Sequence, residues 1–424
     1  MEKQKSSGIS DIAIYIPQLK IDIDTIINRR KDLTPRMSSK MRGAVKLTEQ
    51  KSIRFPHHWE DPVTFAAESV KRVLSVSGKQ RLIRYIGTGT ETGIDFSKPL
   101  AAYVQGMMSK AGIELPLNLS TYQTQHACAS GTLSMLNIAS LLLVCGRDNE
   151  SGLAVCSDNA HYERNSTAEI TQGAGSVTLL IEKDPKLIEI DLENIGYASR
   201  DVDDFFRPLN SKTAKVKGQF SMKCYQDSLI EAFDDFCRRS GRSSDEILNT
   251  TDYFVCHSPF AAMPKMALRY LLEEKQGLNY TEAASFTMSH AVDSASEYVS
   301  SIGNLYSGAM YLGLAALLKK EYKRISGDLV GKKILFASYG SGNTMIVFRG
   351  KIAAKAPEQI EKWDFDRDIK LCKEASLEEY ENWIHEPFPI HPGKRVASVA
   401  DVPAGRFFLK SVREDGYHEY GYSG

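Results

Sequence analysis

The sequence predicts an α/β protein built from two similar halves. Three observations carry that expectation. Apolar strand-like runs alternate with helical ones along the chain. Glycine-x-glycine followed by an apolar strand occurs twice, as Gly173-Ala-Gly-Ser-Val-Thr-Leu-Leu-Ile and as Gly340-Ser-Gly-Asn-Thr-Met-Ile-Val-Phe. Upstream of each lies a helix opened by small residues, at Cys128-Ala-Ser-Gly-Thr and at Gly303-Asn-Leu-Tyr-Ser-Gly. The same parts in the same order are the mark of duplication.

The elements follow in chain order. Ile9–Ile16 reads as a buried strand stopped by Pro17, which can neither donate to a ladder nor continue it. Residues 28–46 are basic: Arg29, Arg30, Lys31, Arg36, Lys40, Arg42 and Lys46 face only Asp32. Such a run is either a solvated face or an anion-binding entrance. Asp61-Pro62 is an N-cap followed by proline at the first helical position. The helix behind it sets Phe65, Ala66, Ser69, Val70 and Val73 on one face. Leu82–Ile86 is a short strand leading into Gly87-Thr-Gly-Thr-Glu-Thr-Gly. Its glycine spacing fits neither the dinucleotide fingerprint nor the P-loop, so both nucleotide readings are rejected. Leu133–Val144 is apolar nearly all round, as befits a helix in the middle of a protein, and the helix is expected to end at Arg147. Gly152–Cys156 and Ser176–Ile181 read as strands. The helix after Gly303 is expected to end at Lys319-Lys320. No Pro/Gly/Ser-rich linker divides the chain.

Composition narrows the function. The 424 residues are 42% hydrophobic and 25% charged, an ordinary globular mixture. Lys+Arg and Asp+Glu number 53 each, which argues against a nucleic-acid or membrane-surface binder. The polar N-terminal stretch lacks the apolar core of a signal peptide. Apolar runs such as Ile138–Cys145 are too short to cross a bilayer. Seven scattered cysteines, at 128, 145, 156, 224, 237, 256 and 372, form no C-x-x-C pair and point to a reducing cytoplasm.

Three residues are placed for chemistry. Cys128 precedes a long helix among small residues. Positive partial charge and free N–H groups at a helix start favour thiolate, hence a nucleophile. The alternative is an inert core cysteine. His257 ends an apolar strand, where α/β folds face their ligands, and a neutral imidazole there can donate to a carbonyl. It can equally be structural. Cys256 points the other way and reads as core. Glu91 sits in the glycine- and threonine-rich loop, where burial would raise its pKa toward neutrality, or solvent would leave it a plain loop carboxylate. Asn304 and Ser341, in the second-half glycine motifs, are pocket donors or turn residues.

Together these stretches resemble the 3-hydroxy-3-methylglutaryl-CoA synthase family of the thiolase superfamily. The landmarks run in order over nearly the whole chain: Gly8-Ile-x-x-Ile-x-x-Tyr-Ile-Pro, Gly89-Thr-Glu-Thr-Gly-Ile-Asp-x-Ser-Lys, Ala127-Cys-Ala-Ser-Gly-Thr, Thr171-Gln-Gly-Ala-Gly, Asp204-Phe-Phe-Arg-Pro, His257-Ser-Pro-Phe, Gly303-Asn-Leu-Tyr-Ser and Ser338-Tyr-Gly-Ser-Gly. The resemblance implies a thiolase-like fold, two αβαβα halves making five layers, with residues 1–185 carrying the nucleophile and the glutamate and 186–424 the histidine. It implies a cytoplasmic homodimer. It assigns the nucleophile to Cys128, the general acid/base to Glu91 and substrate positioning to His257. It places Asn304, Ser341, Thr171, Tyr339 and Ser221 at the substrate, and Asp95, Asp158 and Asp204 at the site edge or in loop support. The implied substrates are acetyl-CoA and acetoacetyl-CoA, or their acyl-carrier-protein counterparts. No metal or redox cofactor is implied, because the thioester itself acidifies the methyl group.

Two departures bear on the reaction. The family tyrosine after the cysteine is Ala129 here, which is expected to open space beside the acyl group or remove a hydroxyl. The lysine that many CoA-dependent members carry five residues after the histidine is Ala262 here, with Lys265 a displaced substitute. Ser258-Pro-Phe-Ala-Ala-Met-Pro-Lys looks more like the branch that acts on carrier-protein substrates in polyketide β-branching. The mevalonate-pathway role is the leading expectation. A related Cys-His ketosynthase and a non-enzymatic scaffold are the alternatives. Retention of Glu91 weighs against the first and retention of both groups against the second.

Overall fold

The computed structural model describes residues 6–424, apart from 210 and 387–390. The first five residues of the polar N-terminal stretch lie outside the described residues.

One large mixed sheet contains strands from both halves of the chain. We number them β1 (Ser7–Tyr15), β2 (Ile83–Gly89), β3 (Ser120–Thr124), β4 (Ser151–Ala160), β5 (Gly173–Lys183), β6 (Ile188–Ser199), β7 (Tyr253–Cys256), β8 (Lys333–Gly340) and β9 (Thr344–Ile352). Their order across the sheet is β7-β8-β9-β6-β1-β5-β4-β2-β3. A seam of two antiparallel pairs, Gly8 with Glu189 and Ile9 with Ile188, divides it into a first sheet (β1-β5-β4-β2-β3) and a second (β6-β9-β8-β7).

The strand pairing repeats on either side of that seam. β1 pairs antiparallel with β5, β5 antiparallel with β4, and β4 parallel with β2. β6 pairs antiparallel with β9, β9 antiparallel with β8, and β8 parallel with β7. The echo in the sequence is therefore an echo in topology, with β3 added at the outer edge. Strand β2, which leads to Glu91, corresponds to β7, which leads to His257.

Helices complete the layers. They are α1 (Ile23–Arg29), α2 (Pro35–Thr48), α3 (Pro62–Ser77), α4 (Leu100–Lys110), α5 (Ser130–Val144), α6 (Gly218–Ser240), α7 (Met263–Gln276), α8 (Ser307–Ile325) and α9 (Leu377–His385). α3 and α4 cover the outer face of the first sheet, where Val63, Ala66, Val70, Val104 and Met108 pack on Leu153 and Val155. α6 and α7 cover the second, where Phe233, Phe236, Leu268 and Leu271 pack on Leu335 and Val347. α5 and α8 lie between the sheets, in a core that includes Met135, Ile138, Met310, Leu314, Val177 and Ile346. Strands covered on both faces carry near-continuous apolar runs, as Val177–Ile181 does, apart from Thr178. The result is the expected five-layered α/β fold.

Local signals explain the boundaries. Asp61 caps α3 by accepting from Thr64 N, while Thr64 Oγ1 accepts from Asp61 N, and Pro62 fills the first helical position. α5 ends at Val144, three residues before the expected Arg147, and α8 continues to Ile325, beyond Lys319-Lys320. The eighteen residues Ala127–Val144 are together long and apolar enough to span a bilayer, more than Ile138–Cys145 suggested, yet most of that window is buried within the protein. Its last turn is the exception to the expected all-round burial: Leu141 is exposed and Val144 is 84% exposed.

The two central helices approach where both begin. A Cβ on Gly131 in α5 would lie 2.2 Å from Cys156 Sγ and 2.8 Å from Ser307 Oγ. Gly308, at the corresponding place in α8, meets nothing closer than 3.3 Å. Gly131→Ala is therefore expected to cost about 1–3 kcal/mol through overpacking. Gly308→Ala should cost less than about 1 kcal/mol, because only Leu305 Cβ, at 3.3 Å, must give way by a few tenths of an ångström, against the gain in helix propensity. Urea unfolding of the two variants measures the contrast, and equal losses would contradict the packing described.

Candidate active site

The site lies where β2, β4, β7 and β8 end and α5 begins. Cys128 sits two residues before the first residue of α5, and Ala127 before it has φ of 42°, a left-handed conformation costly for a residue with a Cβ. Tyr306, just before α8, has φ of 48°. Both helix entrances open on one cavity of about 460 Å³, lined by Cys128 at one and by Asn304 and Tyr306 at the other, a volume suited to a small-molecule ligand.

Cys128 and Glu91 are in direct contact. The thiol donates to Glu91 Oε1 at 3.1 Å. As a residue Glu91 is half-buried, but its carboxylate lies in a deep surround. Burial, then the nearby charge of Asp158, pushes Glu91 up to about 8, while the Cys128 hydrogen bond and Arg207 pull the other way. Burial, then Glu91, pushes the Cys128 thiol well up. This corrects the expectation of a thiolate favoured by the helix start. Desolvation and the nearby carboxylates outweigh the helix dipole, so near neutral pH the thiol keeps its proton and Glu91 carries one of its own until about pH 8.

Asp158 anchors the loop that carries Glu91. Its Oδ1 accepts from Thr90 Oγ1, Glu91 N and Thr92 Oγ1 at 2.8 Å each, and from Thr92 N at 3.1 Å. Burial raises Asp158 to about 6 despite these bonds. Asp95 plays a lesser part: it accepts from Ser97 N, Lys98 N and Tyr103 Oη, holding its own loop away from the cavity lining.

His257 lines the cavity at the end of β7. Its N–H donates to Ala337 O at 2.8 Å and its carbonyl accepts from Tyr225 Oη at 3.0 Å. Burial drops the imidazole to about 3, so it is neutral at any working pH. Cys256 packs in the outer core of the second sheet, as expected from strand alternation.

The other expected substrate residues come together in the same cavity: Thr171, Ser221, Asn304, Tyr339 and Ser341 all line it. Asn304 Nδ2 donates to Tyr162 Oη at 3.1 Å, its Oδ1 accepts from Tyr306 N at 2.8 Å, and its own N–H donates to Thr171 O at 3.0 Å. Tyr339 Oη and Ser221 Oγ both donate to Asp204 Oδ2 at 2.8 Å. Their hydroxyl protons are thus committed to Asp204.

Three other expectations are corrected. Ala129 is fully buried, and a Cβ on Gly340 would come within 2.8 Å of its own Cβ, so loss of the tyrosine opens no space there. Lys265 is tied to Glu49 at 3.1 Å and to Asp293 at 3.8 Å, so it is not a free substitute for a phosphate contact. The basic segment is neither wholly solvated nor wholly an entrance: the Arg30 side chain is buried in ion pairs, while Lys40 on α2 stands at the cavity wall.

Sequence reasoning missed Tyr162, Tyr225 and Tyr306 as cavity walls, and Ala44 and Leu47 on α2. It also missed Arg207, whose charge opposes the upward shift of both Glu91 and Asp158. Tyr306 and Arg207 lie within quoted motifs. Tyr162 carried no signal of its own.

Comparison with known proteins places the chain in one family. The chain matches the family described as hydroxymethylglutaryl-coenzyme A synthase N terminal over residues 3–186. It matches the corresponding C-terminal family over residues 190–285 and 272–422. A hydroxymethylglutaryl-CoA synthase from Enterococcus faecalis is 29% identical, with 88% of this chain and 90% of that protein covered. The polyketide biosynthesis 3-hydroxy-3-methylglutaryl-ACP synthase PksG of Bacillus subtilis is 25% identical, with 89% and 87% covered. The solved structure of MvaS in complex with 3-hydroxy-3-methylglutaryl coenzyme A superposes with a TM-score of 0.84 at 29% identity, covering all of both chains.

Burial of an ionisable glutamate gives a prediction with a definite sign. Glu91 stands at about 8 in the folded protein against an ordinary 4.5. The folded state therefore holds the Glu91 proton more tightly. The stability this contributes is complete below about pH 4.5 and is lost as pH rises through about 8. Glu91→Gln cannot ionise and escapes that loss. Its stability advantage over the wild type, measured by urea unfolding, should widen between about pH 5 and about pH 9. A gap that stays constant across that range would contradict the buried-pair account.

Proposed function

This chain belongs to the hydroxymethylglutaryl-CoA synthase family, and on that premise we propose that Cys128 takes the acetyl group of a thioester and that Glu91 moves the protons of the reaction. The reaction class is that of the family: an acyltransferase condenses an acetyl thioester with an acetoacetyl thioester. The observation that carries the residue roles is the 3.1 Å contact between Glu91 Oε1 and the Sγ of Cys128, which lines the cavity.

The steps balance on these groups. Ionised Glu91 accepts the thiol proton as Cys128 Sγ attacks the acetyl carbonyl, and the donor thiol leaves with a proton. Glu91, ionised again, removes a proton from the methyl of the acetyl-Cys128, giving an enolate-like carbanion. That carbon attacks the 3-keto carbon of the acceptor, whose oxygen takes up a proton. Water then cleaves the thioester to Cys128. A general base raised toward working pH suits both proton removals. Neutral His257 orients the acceptor and donates to its carbonyl, as an oxyanion-hole donor does. Thr171, Asn304 and Ser341 hold the acceptor acyl group, while Asp204 fixes the hydroxyls of Tyr339 and Ser221 at the wall. The chemistry calls on no metal or redox cofactor, because the thioester carbonyl acidifies the methyl.

The leading substrates are acetyl-CoA and acetoacetyl-CoA, the mevalonate-pathway role. Carrier-protein thioesters of polyketide β-branching are the second reading. It is favoured by Ala262 and by the engagement of Lys265 with Glu49, which removes a cation from the expected phosphate contact. We place the enzyme in the cytoplasm, where its free thiols stay reduced. We read it as a homodimer, supported by the open edge at β3 and the exposed Leu117, Leu141 and Val144.

Intact-protein mass spectrometry after mixing with acetyl-CoA, and separately with acetylated carrier protein, tests these roles. One acetyl adduct is expected, absent from Cys128→Ala. An adduct from carrier protein alone would select the second reading, and an adduct that survives Cys128→Ala would overturn the nucleophile assignment. Glu91→Ala loaded with acetyl at Cys128 should condense about 10²–10⁴-fold more slowly. Condensation at the wild-type rate would remove Glu91 from the mechanism.

A further inference from the structure

We propose that the buried Arg30–Glu169 ion pair is a positioning device for the acceptor side of the cavity, acting through Tyr380, Gln172 and Tyr162. The inference rests on the reading of Thr171 and Asn304 as acceptor contacts.

The pair is built with unusual completeness. Arg30 follows α1, and Glu169 lies in the loop between β4 and β5; their side chains are 2% and 0% exposed. Arg30 Nη2 donates to Glu169 Oε1 at 2.6 Å and Nη1 to Oε2 at 2.9 Å, the bidentate geometry that fixes direction as well as distance. Arg30 Nε donates to Glu381 Oε1 of α9 at 2.7 Å. Glu169 also accepts from Asn165 N at 2.6 Å and from Tyr380 Oη at 2.8 Å.

From there the hydrogen bonds lead inward. Gln172 Nε2 donates to Tyr380 Oη at 3.0 Å, and Gln172 Oε1 accepts from Tyr162 N at 2.8 Å. Tyr162 Oη accepts from Asn304 Nδ2 at 3.1 Å, and the Asn304 N–H donates to Thr171 O at 3.0 Å. The loop staked at Glu169 thus forms the cavity wall at Tyr162, Ala168 and Thr171. Among the described residues no hydrogen bond joins this chain to the Cys128–Glu91–Asp158 group; its one contact there is the packing of Tyr162 against Cys128.

A buried ion pair is weak evidence for stability, since well-packed neutral residues often serve as well. Its worth here is geometric. Two elements remote from the reaction, α1 and α9, set where Tyr162 and Asn304 stand, and a small displacement of positioning groups is costly in rate.

The test separates the two half-reactions. In Arg30→Met/Glu169→Gln neither charge is left unpaired, so the variant is expected to fold with near wild-type stability. Acetylation of Cys128 by the donor thioester should keep its rate within about twofold, while the acceptor KM rises roughly tenfold. A wild-type acceptor KM, or equal losses in both half-reactions, would overturn the proposal. Tyr380→Phe removes only the hydroxyl between Glu169 and Gln172 and covers the case in which the double variant unfolds. It should raise the acceptor KM about threefold with acetylation unchanged, and an unchanged KM would overturn the proposal. If the wild type itself takes no acetyl group, it is the assignment of Cys128 that fails, a result distinct from either of these.

Discussion

A single hydrogen bond, from the Cys128 thiol to the Glu91 carboxylate, sets the terms for the rest of the molecule. Out of water both groups resist ionisation; Glu91 raises the thiol further, while the thiol hydrogen bond draws Glu91 back toward its ordinary value. Near neutral pH both groups therefore keep their protons, and Glu91 is the first to lose one. Everything around it serves to keep that contact dry and short. Asp158 pins the Glu91 loop with four hydrogen bonds, and the start of α5 is packed so closely that Gly131 has no room for a methyl.

Duplication explains why the parts meet. The two sides of the sheet have the same pairing pattern, so equivalent strands β2 and β7 bring His257 to the cavity and Glu91 to Cys128 at its lining. The central helices deliver Cys128 from one half and the Asn304 loop from the other. Each half alone has a strand end and a helix start, and only the pair encloses a site. The two delivered groups then diverge by environment. Glu91, beside a thiol and a second carboxylate, is raised toward working pH, whereas His257, in an apolar surround, is held neutral.

Much of this was legible in the sequence because it rests on local patterns. The glycine echoes, the Asp61-Pro62 cap and the apolar runs follow from periodicity and backbone sterics, and they placed the halves and most strands. The eight ordered motifs hold Cys128, His257, Thr171, Asn304, Tyr339 and Ser341, which all line one cavity, and Glu91, which reaches Cys128 by hydrogen bond. What stayed hidden depends on distance in space. The Cys128 thiol was misjudged because the helix start is visible in the sequence and the two carboxylates that outweigh it are not. Lys265 looked available because its partner Glu49 lies 216 positions away. Ala129 suggested an opening because the backbone of β8 that closes over it comes from the other half. Arg30 read as one charge in a basic run, although its partners Glu169 and Glu381 arrive from two later elements.

The most direct test of the coupling between Cys128 and Glu91 is the pH dependence of Cys128 alkylation by iodoacetamide, compared between wild type and Glu91→Gln. With Glu91 present, the rate should rise and level off around pH 8, as the pair gives up its first proton. Without it, the buried thiol should show no inflection there and react faster only at higher pH. Identical profiles in the two proteins would mean that Glu91 does not govern the proton on Cys128, and the account of the site would fail at its base.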